Sequence, residues 1–353
     1  MLFRSQILKQ MEKLNFYGER CIIVAEIGNF NTFGNNVIVG SSNEEKATSK
    51  IGNCCSIGNG VTIGTNVELG NNVTIGDNVI IPDGCRIGNN VTIETGVALG
   101  KNNIIHPNCV LRGNTVIGVN NEFLSGSIIG FWPKDIGDHH YEGHLEIGSD
   151  NFFGENTIIN VGEATKKGDT TKIGDHVYSM DKVTINHNDL VAVGQEIPDS
   201  PRAFTTIISS GVSLAGHVEV GTGANLGMQT VAHQFSIIGA GAMIGMNASI
   251  TKNVVPFAKV IGTKIVGYNK RPLAENLEFG SYEDDVLQMV ASMIEDVASA
   301  APDVERALRK LEYYNNKGQW NQKAYEVIKA FLEREQNGRS EERRVGKECR
   351  SRW

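Results

Sequence analysis

The chain has 353 residues, a formal net charge of −7 at neutral pH, 40 glycines and 8 prolines. That length carries a sizeable core, the acidic balance argues against nucleic acid as a principal partner, and no apolar run reaches the roughly 18 residues of an integral membrane segment. Six cysteines (21, 54, 55, 85, 109 and 349) show no metal-type CxxC spacing and read as small core residues of a reducing, cytoplasmic compartment.

Residues 1–20 are too charged and too broken for a secretory apolar stretch and read as a short amphipathic helix or loop. A solenoid domain is expected over 21–270. It begins irregularly, with Ile27-Gly28, Phe33-Gly34 and a polar excursion, SSNEEKATSK, because terminal repeats cap an otherwise open end. From Ile51 an apolar starter recurs every six positions: Ile57, Ile63, Leu69, Ile75, Ile81, Ile87, Ile93, Leu99, Ile105, Leu111, Ile117, Phe123, Ile129. Three positions after each starter from Ile57 to Ile117 stands Gly or Asn, from Gly60 and Asn66 to Asn114 and Asn120. These residues accept positive φ at low cost, so each hexad reads as a short strand ending in a left-handed corner. Val61, Val67, Val73 and Val79, two places before the next starter, point inward by strand alternation. Three hexads close one 18-residue coil. The pattern resembles the left-handed parallel β-helix of the hexapeptide-repeat acyltransferases, and the expected fold is that all-β solenoid followed by a small C-terminal α-helical bundle.

The rhythm breaks near 131–146, resumes at Ile147, Phe153 and Ile159, and breaks again near 161–171. It returns at Ile173, runs through Ser179 and Ile185 to Val191, and stops for a third excursion near 193–204 that holds Pro198 and Pro201. From Ile208 it holds through Leu214, Val220, Leu226, Ala232, Ile238, Ile244 and Ile250 to Pro256. Excursions from solenoid corners are natural places for a site, since a rigid scaffold positions them. Residues 271–338 form the helical domain, with stripes Val286–Val297, Val304-Leu308-Leu311 and Val327-Ile328-Phe331-Leu332. The last fifteen residues, 339–353, change composition abruptly and resemble the translation of a sequencing-adapter oligonucleotide. They are expected to be an artefactual tail.

Histidines mark the candidate site. The hexads of Ile185, Leu214 and Ala232 hold His187, His217 and His233. Leu214 and Ala232 are one coil apart, and Ile185 precedes Leu214 by one coil plus an eleven-residue excursion, so all three are expected on one corner, in place of the left-handed formers the pattern wants. Gly216 falls one coil beyond His187. Imidazole removes a proton from an attacking hydroxyl near neutral pH, and an adjacent backbone N–H stabilises the resulting oxyanion.

LeuAlaGlyHisVal (214–218) and AlaHisGlnPheSerIleIleGlyAla (232–240) resemble the acyl-carrier-protein-dependent UDP-N-acetylglucosamine O-acyltransferases of lipid A synthesis. The likeness spans roughly Ile117 to Asn269. It implies His187 as general base, Gly216 as oxyanion donor, and His217, His233, Gln234, Asp135, Asn269 and Arg271 as substrate contacts. It implies no metal and no cofactor beyond the acyl-phosphopantetheine of the donor, and as partners an acyl carrier protein, a nucleotide sugar and two further copies in a homotrimer. Met246 falls where longer-chain members carry glycine at the floor of the acyl groove, so a shortened chain is expected. Departures from the family pattern are Asn188 for the aspartate after the base, Thr184 for a histidine before it, Gly137 and Asp138 for a lysine in the first excursion, and GlyTyrAsnLysArgPro (267–272) for an arginine-rich stretch. His139, His140 and His144 resemble γ-class carbonic anhydrases in spacing, but zinc needs three rigid ligands and these sit in an acidic excursion. Lys166, Lys167, Lys172, Lys252, Lys259, Lys264, Lys270 and Arg271 are candidates for docking an acidic carrier. The alternatives are a CoA-dependent sugar acetyltransferase on the same scaffold and a non-catalytic solenoid.

Overall fold

The computed structural model describes residues 14–40, 49–133, 143–163, 169–193, 206–269, 304–316 and 325–333. They fall in two compact units, 1–188 and 189–353. Asp135, His139, His140, Lys166, Lys167, Lys270, Arg271, the 193–204 excursion beyond Val193, the stripe 286–297 and the tail lie outside the described residues.

The first unit is the expected left-handed β-helix. Its strands are two to four residues long and lie in three parallel sheets, each strand pairing with the strand one coil on. One sheet runs from Phe16–Tyr17 through Thr32–Phe33, Ser56–Ile57 and Thr74–Ile75 to Thr184–Ile185. Register is strict: Ile57 pairs with Ile75, Ile75 with Ile93 and Ile93 with Leu111. The first strand corrects the expectation for 1–20, because the solenoid begins at Phe16–Tyr17 instead of at 21. The hexad rule misses this coil because its corners carry Arg20 and Phe30 in place of Gly or Asn, both in the left-handed region.

All eleven corner residues singled out from Gly60 to Asn120 have φ between +54° and +88°. Asparagine adds something glycine lacks. Asn72 Nδ2 donates to Asn90 Oδ1 and Asn90 Nδ2 to Asn108 Oδ1, each at 3.1 Å, so the corner side chains bond from coil to coil. The starters face inward and are buried, with Ile57, Ile75, Ile93, Leu111 and Ile129 no more than 2% exposed. Burying each such side chain contributes about 1.5–3 kcal/mol. Phe123 and Phe153 occupy successive coils of another sheet, their rings stacked 5.0 Å apart and 8° from parallel.

Cys55, Cys85 and Cys109 take inward positions, and burial pushes their thiols up from the usual range, whereas Cys54 is exposed at a corner. A thiolate reagent at pH 7.5 is therefore expected to modify Cys54 and to leave those three unmodified until the chain unfolds, as read by peptide mass spectrometry. Equal labelling of Cys85 and Cys54 under native conditions would contradict this packing.

The second unit continues the pattern with shorter sheets. Ser213–Leu214, Val231–Ala232 and Ser249–Ile250 pair in order, as do Leu190–Val191, Glu219–Val220 and Ile237–Ile238. The third sheet closes with an antiparallel hairpin, Ala258–Ile261 against Lys264–Tyr268. Two helices are described: α1 (Val304–Asn316) and α2 (325–333). α1 buries Ala307 and Leu311, one helical turn apart, while Leu308 is half-buried, so its inward stripe is displaced by one position from the expected one. α2 buries Ile328, Phe331 and Leu332 as its periodicity requires. Among the described residues no helix is long and apolar enough to cross a membrane.

Candidate functional site

In the first unit, the strands Ile158–Asn160 and Thr184–Ile185 lie in parallel register, Ile158 beside Thr184 and Ile159 beside Ile185. After Ile185 the chain turns a corner at Asn186-His187-Asn188; after Asn160 it leaves the coil through Val161, Gly162 and Glu163. Asn160 Nδ2 donates to Asn186 Oδ1 at 2.9 Å and ties the two departures together.

His187 is 9% exposed, and its Nδ1 lies 3.2 Å from Asn188 Oδ1. The amide of Asn188 is oriented by backbone on both sides. Its Oδ1 accepts the Glu163 N–H at 2.8 Å and its Nδ2 donates to the Glu163 carbonyl at 3.1 Å. A flipped amide would set oxygen against carbonyl and nitrogen against N–H, so the atom beside His187 is an acceptor. An acceptor there requires Nδ1 to carry the proton, which makes Nε2 the unprotonated nitrogen of that tautomer. Asn188 also donates its backbone N–H to Thr171 Oγ1 at 2.9 Å and sits at φ +58°, the conformation asparagine tolerates. Asn188 therefore sets the tautomer of His187, with the proton on Nδ1.

Glu163 is the residue that sequence reasoning missed. Its Oε2 lies 3.7 Å from His187 Nδ1. The segment before it is pinned: Val161 donates its N–H to the Phe131 carbonyl at 2.8 Å and Gly162 to the His144 carbonyl at 2.9 Å. A Cβ on Gly162 would run into the Asp169 carbonyl, and one on Gly143 into the Gly162 carbonyl, so this close approach admits only glycine at both positions.

In the second unit, the corner Ala215-Gly216-His217-Val218 joins Ser213–Leu214 to Glu219–Val220. Gly216 is buried, and its carbonyl accepts the Phe235 N–H at 3.3 Å. Asp189, fully buried, accepts the Val218 N–H at 2.7 Å and so anchors the same corner. His217 has φ +62°, and its ring stacks on that of Phe235, 4.7 Å and 17° away. His233 and Gln234, on the next coil, are exposed, and His233 Nδ1 lies 3.2 Å from the Gln234 carbonyl.

These positions correct one step of the sequence argument. Of the three histidines, only His217 occupies the left-handed position; Asn188 and Phe235 hold it beside His187 and His233. The partner of His217 one coil on is thus Phe235, and the 18-residue spacing between them was the signal that could have found it.

Met246 stands at the corner after Met243–Ile244 and is 67% exposed. Asn269 donates its N–H to the Phe257 carbonyl at 2.6 Å and its Nδ2 to the Gly241 carbonyl at 3.0 Å, so its side-chain donor holds the end of the hairpin. Of the candidate docking lysines, Lys172 is engaged by Glu146 at 2.7 Å.

The bacterial transferase hexapeptide (six repeats) model matches residues 48–83, 66–101 and 78–113. The chain is 35% identical over 159 residues to the acyl-[acyl-carrier-protein]--UDP-N-acetylglucosamine O-acyltransferase of Nautilia profundicola, covering 43% of this chain and 57% of that protein. It is 31% identical over 192 residues to the acyltransferase of the same name from Aliarcobacter butzleri, covering 54% of this chain and 68% of that protein. The chain spans about half the length of several curated relatives it matches. The crystal structure of Arabidopsis UDP-N-acetylglucosamine acyltransferase is 21% identical, with a TM-score of 0.56 over 87% of this chain and 93% of that chain, a likeness of fold.

Proposed function

The chain belongs to the acyl-[acyl-carrier-protein]--UDP-N-acetylglucosamine O-acyltransferase family, and from that membership we propose that it moves a (3-hydroxy)acyl chain from acyl carrier protein to a hydroxyl of UDP-N-acetylglucosamine or a related nucleotide sugar. The observation that carries this reading is His187, whose Nδ1 faces an acceptor, the tautomer in which Nε2 is the basic nitrogen.

In the proposed reaction, Nε2 takes the proton of the acceptor hydroxyl as its oxygen attacks the thioester carbonyl. The N–H of Gly216 stabilises the tetrahedral oxyanion. Collapse breaks the C–S bond, and the departing phosphopantetheine thiolate recovers the proton from the imidazolium. His217, His233, Gln234, Asn269, Asp135 and Arg271 are the proposed contacts for the sugar nucleotide and the acyl-phosphopantetheine arm. The working assembly is a homotrimer in the cytoplasm, and the reaction draws on no metal or resident cofactor.

The test is incubation of the protein with 3-hydroxyacyl carrier proteins of several chain lengths and UDP-N-acetylglucosamine, with product read by mass spectrometry. A product that disappears with His187→Ala supports the reading. Turnover of acetyl-CoA in place of carrier-bound donors would point to a sugar acetyltransferase, and no turnover of any donor by a folded protein would leave a non-catalytic solenoid. Met246 as chain-length determinant gives a separate expectation: Met246→Gly shifts the preferred donor to longer chains. Since one methylene in an apolar pocket changes discrimination by roughly 10- to 200-fold, an unchanged chain-length profile would remove Met246 from the acyl site.

A further inference from the structure

The carboxylate that accompanies the base in this family is missing from position 188, and the asparagine there supplies only half of what it did. The amide oxygen of Asn188 fixes the tautomer of His187. It brings no full negative charge to offset the imidazolium that forms when Nε2 takes a proton. Glu163 brings that charge from the segment after the strand Ile158–Asn160. Its Oε2 stands 3.7 Å from Nδ1, its side chain is about one-third exposed, and its backbone is clamped to the Asn188 amide through both N–H and C=O. The carbonyls of Phe131 and His144 hold the two residues before it. A backbone fixed at this many points holds the carboxylate's point of attachment beside the ring before charge appears there.

We propose that Glu163 is the positioning residue for His187: held by the Asn188 amide on the excursion after Asn160, its carboxylate stabilises the imidazolium during acyl transfer. In this step Glu163 neither gives nor takes a proton. This rests on the reading of His187 as general base.

The test uses the full chain as wild type, His187→Ala, Glu163→Gln, Glu163→Asp and Glu163→Ala, assayed with a 3-hydroxyacyl carrier protein and UDP-N-acetylglucosamine. Glutamine keeps the shape and removes the charge, so Glu163→Gln is expected to lower kcat about tenfold, the scale of a partly screened charge pair. KM for both substrates stays within about twofold, because the imidazolium forms only after both substrates are bound. Glu163→Asp keeps a carboxylate and is expected to retain more kcat than Glu163→Gln, and the thermal midpoint of both stays at the wild-type value. If Glu163→Gln turns over like wild type while His187→Ala is inactive, the proposal falls and the general base stands. If Glu163→Gln, Glu163→Asp and Glu163→Ala lose kcat and thermal midpoint alike, Glu163 is only a structural clamp and the proposal is overturned. If His187→Ala retains the wild-type rate, both readings fail together.

Discussion

His187→Ala lowers kcat by roughly 10²- to 10⁴-fold, the range a positioned general base contributes, and leaves the solenoid folded. The expectation for rate follows from the tautomer. Two backbone groups of Glu163 orient the Asn188 amide and the amide oxygen faces Nδ1; Nε2 is the nitrogen proposed to meet the acceptor hydroxyl. In the proposed reaction, alanine removes the base and leaves the proton to water. The expectation for stability follows from position. His187 lies on a corner, past the inward starter Ile185, so its loss leaves the inward apolar row intact. Losing a hydrogen bond at Nδ1 costs about 1 kcal/mol. Steady-state kinetics beside circular dichroism and a thermal melt check both halves. A kcat within twofold of wild type would remove His187 from the chemistry; a collapsed melt would make it structural.

The fold was legible because each corner and each inward position obeys one local rule. Asn66, Asn72 and Asn78 announce positive φ, and Ile57, Ile75 and Ile93 announce an inward row, without reference to anything distant. Where the corner residue carries no such preference, the signal fails. Arg20 and Phe30 adopt the left-handed conformation because the coils they join are held by neighbouring ladders, and the first coil was therefore read as a helix or loop. Tertiary context overrode local propensity there.

The site was legible in part, for the same reason. His187 and the Gly216-His217 corner stand at hexad positions that can be counted. Glu163 does not: it sits where the chain leaves the coil, and no spacing rule says which residue of an excursion turns back on its own corner. Only the paired bonds between Asn188 and the backbone of Glu163 reveal it. In the sequence, Asn188 stood only as a departure from the family pattern. In the structure, an aspartate at 188 would set a carboxylate oxygen against the Glu163 carbonyl where the amide nitrogen now donates, so the two residues form one arrangement.

Phe123→Ala is expected to destabilise the first unit by about 3–5 kcal/mol, the usual cost of emptying a buried aromatic site. Phe123 is fully buried, and its ring covers that of Phe153 at 5.0 Å, nearly parallel. In many cores a truncation is softened as neighbouring elements move in, but here they are not free to do so. The strand Glu122–Phe123 is bonded on one side to Ile104–Ile105 and on the other to Phe152–Phe153, which fixes the rise from coil to coil. The vacated volume therefore stays open, and the face of Phe153 loses its partner. Because each coil of a solenoid touches mainly its neighbours, the damage is expected to stay local. Amide exchange should accelerate at 104–105, 122–123 and 152–153 and change little at 56–57 and 74–75. Phe153 lies in the coil that continues through Ile158–Asn160 to Glu163, so loosening is also expected to lower turnover before the unit unfolds. Uniform acceleration across all coils would mean that the unit opens as one cooperative body, and the nearest-neighbour account of its stability would have to be given up.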